Sequence, residues 1–502
     1  MLIYLNLWVN GEGIVTVSQR KFWLLAGSVF LAVGGYVLAS SLLSGTGYPL
    51  DDAWIHQTYA RNLAQYGEWS FIPGLPSGGS TAPLWSALIA LAYLIGQNGY
   101  VWTMLLGGLG LLGAAWWGEQ WFAQYSKLKT GKIPWAGLFL AFEWHLVWAA
   151  ASGMETILYA AMILFVFWRL AEKKAGWLVK GLLVGLIVWL RPDGLTLLGP
   201  IAYVAFFTEA TYSKKLRAMG LALGGFLMGF LPYLVFNHFL AGSWWPNTFF
   251  AKQAEYAIRL EAPFLSRFFL LAKLPVVGAG VLLLPGFVRV LWQSVLKKNW
   301  AIQSAGLWWL GYTVIYAMRL PVDYQHGRYL MPAMPVFFVL GLMGTRDIWQ
   351  VYLHRKRFLV LLQKAWAMTL ILILAAFLMI GAVQAYRLDV AIINTEMVAA
   401  AVWIAENTPE DALIAAHDIG ALGFYGGRNV VDLAGLISPD VIPFIRDEER
   451  LAAHLDEAGV DYLMTFPDWY VDLPKNAKLV FQTDGAYAPL AGGENMRIYE
   501  WR

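Results

Sequence analysis

Asp51 and Asp52 stand side by side just after the first long apolar run of the chain, where a polar loop rich in Gly and Pro begins. Acidic side chains at membrane depth are costly, so each reads as a functional group; the competing reading is that the pair only marks the water boundary. A carboxylate can deprotonate a hydroxyl when geometry and pKa permit. Two adjacent ones could divide the work, one as base and one as orienter or cation ligand. Residues 52–65 have helical spacing, which puts Asp52, His56 and Tyr59 on one face. Arg61 and Trp85 follow in the same loop, with the Ser80-Thr81-Ala82-Pro83 turn between them. Aromatic rings and hydroxyls beside two carboxylates suit a sugar: rings stack on its apolar face and polar groups fix its hydroxyls.

Four basic residues further along could bind an anion. Arg191 precedes Pro192, a good helix start; it also reads as an arginine snorkelling to the interface. Lys252 follows Asn247 and an aromatic interfacial run, where lipid headgroup contact is the alternative. His326 and Arg328 precede Tyr329, and Arg328 could pair with Asp323 instead. A guanidinium grips phosphate bidentately, whereas Lys acts as a point charge. Several such groups facing a carboxylate pair would suit a phosphorylated lipid whose leaving group is a phosphate. Glu155 and Asp193 are further acids, and Glu155 also favours the start of the following helix electrostatically. A divalent cation (Mg, Mn or Ca) is compatible with this many carboxylates, but no oxygen-ligand spacing is diagnostic. His145 lies within an apolar run and reads as a satisfied buried histidine.

These residues need membrane helices to position them. The chain is 59% hydrophobic and 14% charged, against about 45–50% and about 25% in soluble domains. It reads as a polytopic α-helical membrane protein. The first apolar run, 22–43, serves as an uncleaved anchor. Further spans are expected near 100–118, 134–151, 156–171, 177–190, 194–208, 217–236, 275–294, 303–318, 329–345 and 358–383. The run 82–95 is too short to cross and is placed on the membrane surface, within a first external loop 44–99. That choice puts Arg20/Lys21, Lys127/Lys129/Lys132, Lys173/Lys174, Lys214/Lys215/Arg217, Lys297/Lys298 and Arg355/Lys356/Arg357 on one side, as the positive-inside rule requires. The result is about eleven spans in a plasma or inner membrane, with a cytoplasmic N-terminus. Asp51/Asp52, Glu155, Arg191/Asp193, Lys252 and Arg328 then share the outer face. A net charge of +3 gives no reason to expect nucleic acid. The absence of cysteine excludes disulfides, thiolate metal sites and a Cys nucleophile.

The domain boundary is expected between 387 and 388. Residues 388–502 alternate helical stretches (395–406, 446–458) with strand-like runs (412–416, 430–433, 462–465, 479–482, 496–499), a small extracytoplasmic α/β domain. His417-Asp418-Ile419-Gly420 places a Gly-containing turn after a strand, without the spacing of a nucleotide fingerprint. It is assigned a structural or substrate-gating role. No long-period repeat and no low-complexity linker stands out.

Together the motifs resemble the GT-C class of integral-membrane glycosyltransferases, which take sugars from polyprenyl-phosphate donors. The likeness is to the mycobacterial terminal arabinofuranosyltransferases and the protein mannosyltransferase-like group. It rests on Asp51-Asp52-Ala53-Trp54-Ile55, Tyr59-Ala60-Arg61-Asn62, Pro73-Gly74, Ser80 to Trp85, Ser152-Gly153-Met154-Glu155-Thr156, Arg191-Pro192-Asp193-Gly194, Pro246-Asn247-Thr248-Phe249 with Lys252, and Gly327-Arg328-Tyr329 with Pro332. Asp418 to Gly423 and Asp432-Leu433-Ala434-Gly435-Leu436 are similar to its outer domain. The resemblance implies an outward-facing cavity, inversion at the transferred sugar, and a base in the first external loop, carried to Asp51 with Asp52 next. The chain departs from the arabinose pattern at Gly78-Gly79-Ser80-Thr81-Ala82-Pro83, where an acidic and aromatic pair would precede Thr-Ser-Pro. The expected acceptor is a glycan, lipid or protein. The competing functions are a lipid-linked-sugar flippase and a polysaccharide-assembly subunit. A transporter would want polar groups at the midplane and internal repeats, and neither stands out.

Overall fold

Backbone amides in hydrocarbon have no water to bond, so the apolar runs must close their own hydrogen bonds as helices. The computed structural model describes residues 12–126, 133–172, 176–352 and 357–502. The basic clusters at 127–132, 173–174 and 355–356 therefore lie outside the described residues. Among the described residues, six helices are long and apolar enough to cross a membrane, including Ser18–Leu43, Gly99–Ser126, Tyr212–Ala241 and Phe358–Asn407. Other expected spans are shorter or broken. The run 134–151 divides into Trp135–Phe142 and Trp144–Ala151. The break is at Glu143, whose backbone is extended and whose carboxylate caps the second helix through the Leu146 amide at 3.2 Å. His145 Nδ1 sits 2.8 Å from the same carboxylate, so this buried histidine does have a partner.

Helix α1 (Glu12–Leu43) delivers the chain to the acid pair. Helix α2 (Asp52–Tyr66) begins on the second of the two acids and stops at Gly67, whose left-handed φ of 71° ends it. A hairpin of β1 (Ser70–Ile72) and β2 (Leu75–Pro76) follows. Helix α3 (Pro83–Leu94) then packs on α2, with the Tyr93 hydroxyl donating to Gln57 Oε1 at 2.6 Å. Its twelve residues reach about 18 Å, short of a hydrocarbon core of about 30 Å. Helix α4 (Gly99–Ser126) returns into the bundle.

Small residues let some helices meet backbone to backbone. A Cβ on Gly225 would lie 2.0 Å from the Leu178 carbonyl oxygen, and one on Gly181 would lie 1.8 Å from that of Ala222. These contacts seat the helix Trp177–Ile187 on Tyr212–Ala241.

The last membrane helix continues unbroken from Phe358 to Asn407, through two π-helical turns at Gly381–Tyr386 and Asn394–Val398. The expected boundary at 387/388 thus falls inside a helix shared by both parts. The tail holds a five-stranded sheet in the order β4-β3-β5-β7-β6. Its strands are β3 (Leu413–Ala416), β4 (Asn429–Asp432), β5 (Tyr462–Thr465), β6 (Lys478–Gln482) and β7 (Arg497–Glu500). β3 is parallel to both β4 and β5, and β7 runs antiparallel to β5 and β6. All five expected strand runs form, shifted by a residue at most.

Gly225→Leu would force the two helices apart and is expected to destabilise the solubilised protein by about 1–3 kcal/mol. Gly224→Leu, at a position with open space around it, serves as the control. Thermal unfolding in detergent that lowers the midpoint equally in both variants would count against this close approach.

Candidate functional site

Asp52 and Arg328 form the centre of the site. Arg328 Nη2 lies 2.5 Å from Asp52 Oδ2 and donates to the Tyr329 hydroxyl at 3.0 Å. The competing partner Asp323 is not used. Arg328 is 6% exposed, and its Nε and Nη1 are buried without a hydrogen-bond partner among the described residues. Burial works against ionisation of Asp52, but Arg328 first, then Lys252 and His56, outweigh it and hold the carboxyl at about 2. The Asp52 side chain keeps 27% of its surface open, so it is both charged and reachable.

Asp51 faces the other way. Its Oδ2 accepts from the Gly420 amide at 2.6 Å and its Oδ1 from the Ala421 amide at 2.8 Å. Burial and then Asp418 push its pKa up, against the two amides. A Cβ on Gly420 would lie 2.0 Å from the Asp51 carbonyl oxygen, so only glycine permits this approach. Arg61 joins the same latch, donating to Phe424 O at 2.8 Å and Gly423 O at 3.1 Å. Trp54 packs against Phe424 and Tyr425 with ring centroids 4.9 Å away in each case.

A second network lies beside the first. Arg191 donates to Glu155 Oε1 at 2.9 Å, to Asp193 Oδ1 at 3.2 Å and to the Tyr316 hydroxyl at 3.3 Å. Tyr312 and Tyr316 both donate to Asp193 Oδ2. Arg191 is thus tied to two carboxylates rather than snorkelling alone. Glu155 occupies the residue before the helix Thr156–Ala171 but makes no capping bond. Its Oε2 lies 3.7 Å from His56 Nε2 and has no hydrogen-bond partner among the described residues. His56 Nδ1 bonds the Ser86 hydroxyl at 2.8 Å. Burial lowers the His56 pKa against the pull of Glu155 and Asp52.

A chain of alternating charge links the membrane part to the tail. Lys252 Nζ lies 3.3 Å from Glu255 Oε2, and Glu255 Oε1 lies 3.5 Å from His417 Nε2. His417 Nδ1 lies 3.6 Å from Asp418 Oδ1. Burial would discharge Lys252, but Glu255 and Asp52 hold its pKa above the ordinary value. Burial likewise opposes charge on His417, yet Asp418 and Glu255 raise it to about 9.

The remaining expected residues serve the scaffold around these groups. Tyr59 bonds Ser77 Oγ at 2.6 Å and the Gly79 amide at 2.9 Å, fully buried. Trp85 donates to Gly153 O at 2.9 Å, tying α3 to the turn before Glu155. Asn247 is buried at the start of the helix Asn247–Glu255. His326 is drawn away from Asp52: its Nε2 lies 2.8 Å from Asp389 Oδ2, between Trp144 and Trp148. Glu255 and Asp389 were not singled out from the sequence; His417 and Asp418 were, as a turn with a structural or substrate-gating role. Glu255 was findable as the helical i+3 neighbour of Lys252; the tail residues needed the docked fold. Among the described residues, no group of three or more His, Cys, Asp or Glu is arranged to hold a metal. Asp51 is engaged by amides and Asp52 by an arginine, which is a poor fit to a cation cage.

Asp51→Ala would leave the Gly420 and Ala421 amides unsatisfied, at about 1–3 kcal/mol. Hydrogen exchange across residues 418–425 should rise by roughly ten- to a hundredfold in that variant and much less in Asp52→Ala. Equal protection in wild type and Asp51→Ala would remove the latch.

Residues 384–499 match a family described as Domain of unknown function (DUF8728). No curated protein matches the chain in sequence. The whole chain is similar to the solved structure of ArnT from Cupriavidus metallidurans bound to undecaprenyl phosphate, with a TM-score of 0.59 and 15% identity over 96% of this chain and 98% of that one. It is also similar to the archaeal oligosaccharyltransferase AglB from Archaeoglobus fulgidus in complex with an inhibitory peptide and a dolichol-phosphate, with a TM-score of 0.59 and 11% identity over 89% of this chain and 70% of that one. The Archaeoglobus fulgidus oligosaccharyltransferase in complex with Zn and sulfate is a further likeness, at a TM-score of 0.59 and 13% identity over 94% and 72%. At such identities the likeness is one of fold: this chain is a multi-pass helical membrane protein with the GT-C fold and a small C-terminal α/β domain.

Proposed function

We propose that this chain is a glycosyltransferase that moves a sugar from a polyprenyl-phosphate carrier to a hydroxyl or amide of a glycan, lipid or protein acceptor. One observation carries the reading: a reachable, ionised Asp52 is paired with a buried Arg328 whose Nε and Nη1 have no hydrogen-bond partner among the described residues. Those two donors, with Lys252 close enough to act on the charge of Asp52, suit a lipid phosphate. ArnT and AglB, similar in fold, are solved with undecaprenyl phosphate and a dolichol-phosphate.

The chemistry follows from the leaving group. The bond between the sugar's anomeric carbon and the phosphate oxygen breaks, and its electron pair leaves on the phosphate. Arg328 and Lys252 take up that charge, so no acid is needed there. The acceptor attacks the anomeric carbon from the opposite face, inverting it, and its proton passes to Asp52. The products are the glycosylated acceptor and the polyprenyl phosphate. Sequence reading put Asp51 first as base. The latch on Gly420 and Ala421 favours Asp52 instead, because both Asp51 oxygens already accept amide protons. Arg191, held by Glu155 and Asp193, braces the site. The site and tail face away from the cytoplasm, in a plasma or inner membrane, as the positive-inside count supports.

Asp52→Asn should cut transfer by roughly 100- to 10,000-fold with the protein still folded, and Asp51→Asn should cut it less. Transfer of undecaprenyl-phosphate-linked sugar by purified protein measures this. Full activity in Asp52→Asn would sink the assignment. The pH profile gives a second check. Since Asp52 is held at about 2, it stays ionised above that pH, and protonation of the base causes no loss of kcat/KM down to about pH 4. Arg328→Gln removes the main lowering partner, so burial should lift the carboxyl toward or above its ordinary value of about 3.9. The acid limb of the variant should move up. An unmoved acid limb would show that Asp52 is not the titrating base.

A further inference from the structure

The tail sheet has a point where its winding reverses. The chain passes from β3 to β4 on one side, then crosses to β5 on the other, and all three run parallel. In open α/β sheets, ligands bind outside the carboxyl ends of the strands where the winding reverses. Here that place is the end of β3 and β5. His417 and Asp418 follow β3 directly, and Trp469 and Tyr470 lie in the turn after β5. The two turns face each other: the Trp469 ring is edge-on to His417 with centroids 4.5 Å apart.

Two polar atoms here lack a hydrogen bond. Asp418 Oδ2 is buried without a partner among the described residues, and His417 Nδ1 has only the charge of Asp418 at 3.6 Å. Buried polar groups are normally satisfied, so each needs a reason. Trp469 keeps 42% of its surface open. Glu255 and Asp418 balance the charges of His417 and Lys252, which leaves no net positive charge for an anion, whereas a carboxylate oxygen accepts readily from a neutral hydroxyl. A part-open indole beside hydroxyl-binding groups is the chemistry of a sugar ring.

This place borders the membrane-side site. Glu255 joins His417 to Lys252, and Asp418 stands next to the latched Asp51. We propose that the carboxyl-end site of the tail sheet, built from His417, Asp418 and Trp469, binds the terminal sugar of a saccharide acceptor and presents it to Asp52. The inference rests on the glycosyltransferase reading above and narrows its acceptor to a glycan. Donor phosphate then lies on the Arg328 side and acceptor on the tail side, with Asp52 between them.

The test uses the full chain in detergent, labelled and applied to a printed array of neutral oligosaccharides. Native mass spectrometry with added undecaprenyl phosphate is run in parallel on the same preparation. Wild type should retain a subset of the oligosaccharides. Trp469→Ala, at a half-open position, and Asp418→Asn should each weaken that retention about tenfold while undecaprenyl phosphate binding stays within about twofold. In a transfer assay the same variants should raise the acceptor KM and leave the donor KM alone. Arg328→Ala should do the reverse, losing undecaprenyl phosphate and keeping the oligosaccharides. No retention by wild type, or unchanged retention in both tail variants, would overturn the acceptor site while leaving the donor reading intact. Loss of only the donor arm in wild type would instead overturn the transferase reading.

Discussion

The candidate site depends on one ion pair, the buried Arg328 with the half-buried Asp52. A charge removed from water must be paired, and removing one partner of such a pair is strongly destabilising. The pair reaches further through Tyr329. Arg328 donates to the Tyr329 hydroxyl, Tyr312 donates to the Tyr329 carbonyl at 3.3 Å, and Arg191 lies 5.9 Å from its ring centroid. The Asp52 pair and the Arg191 network are thereby one structure. The turn that aims Arg328 is itself strained. Gln325 and His326 hold left-handed φ angles of 51° and 59°, at a cost of about 1–3 kcal/mol each. The His326–Asp389 contact and the Gly327 amide on Asp323 O at 3.1 Å keep that turn in place.

Two neighbouring acids with opposite surroundings form a familiar physical pattern: environments that drive pKa values apart assign different roles. Asp52 meets cations and is held charged. Asp51 meets Asp418 and two amides, and its oxygens are turned into a socket for the tail. Adjacent positions at a helix start point in different directions, which is what lets one backbone site serve both tasks.

Much of this was readable in the sequence for a simple reason. Charge is scarce in an apolar chain, so each acid or base at a boundary carries information. The burial of His145 followed from that scarcity; the pairing of Arg191 with Glu155 and Asp193 did not, since the sequence offered Arg191 as an anion site or a snorkelling arginine. The five tail strands were legible because β-rich apolar runs between turn residues have few other readings. What could not be read was direction. Nothing local says that Asp51 faces Gly420, 369 positions away, or that His326 chooses Asp389 over the neighbouring arginine. The long helix also hid its continuity, because 384–407 mixes polar and apolar residues and looks like a boundary. Tyr59 and Trp85 look like sugar platforms by type, yet their burial makes them braces.

The helix Phe358–Asn407 has a mechanical consequence. At 1.5 Å per residue it is a rod of about 75 Å, standing in the bilayer at one end and fused to the tail sheet at the other. Glu396, inside its second π-turn, accepts from the Met496 amide at 3.0 Å, which welds rod to sheet. The Asp51 socket supplies the second point of attachment. The tail is thus held to the membrane part at two places, by the rod and by the socket, and a body held at two places does not hinge freely. A tilt of the rod by about 5° would sweep its far end about 6–7 Å, and the socket resists that sweep. Mismatch with the bilayer biases the tilt of a membrane helix, while packing and anchors set it, so the socket helps shield the spacing between tail and bundle from the lipid around it.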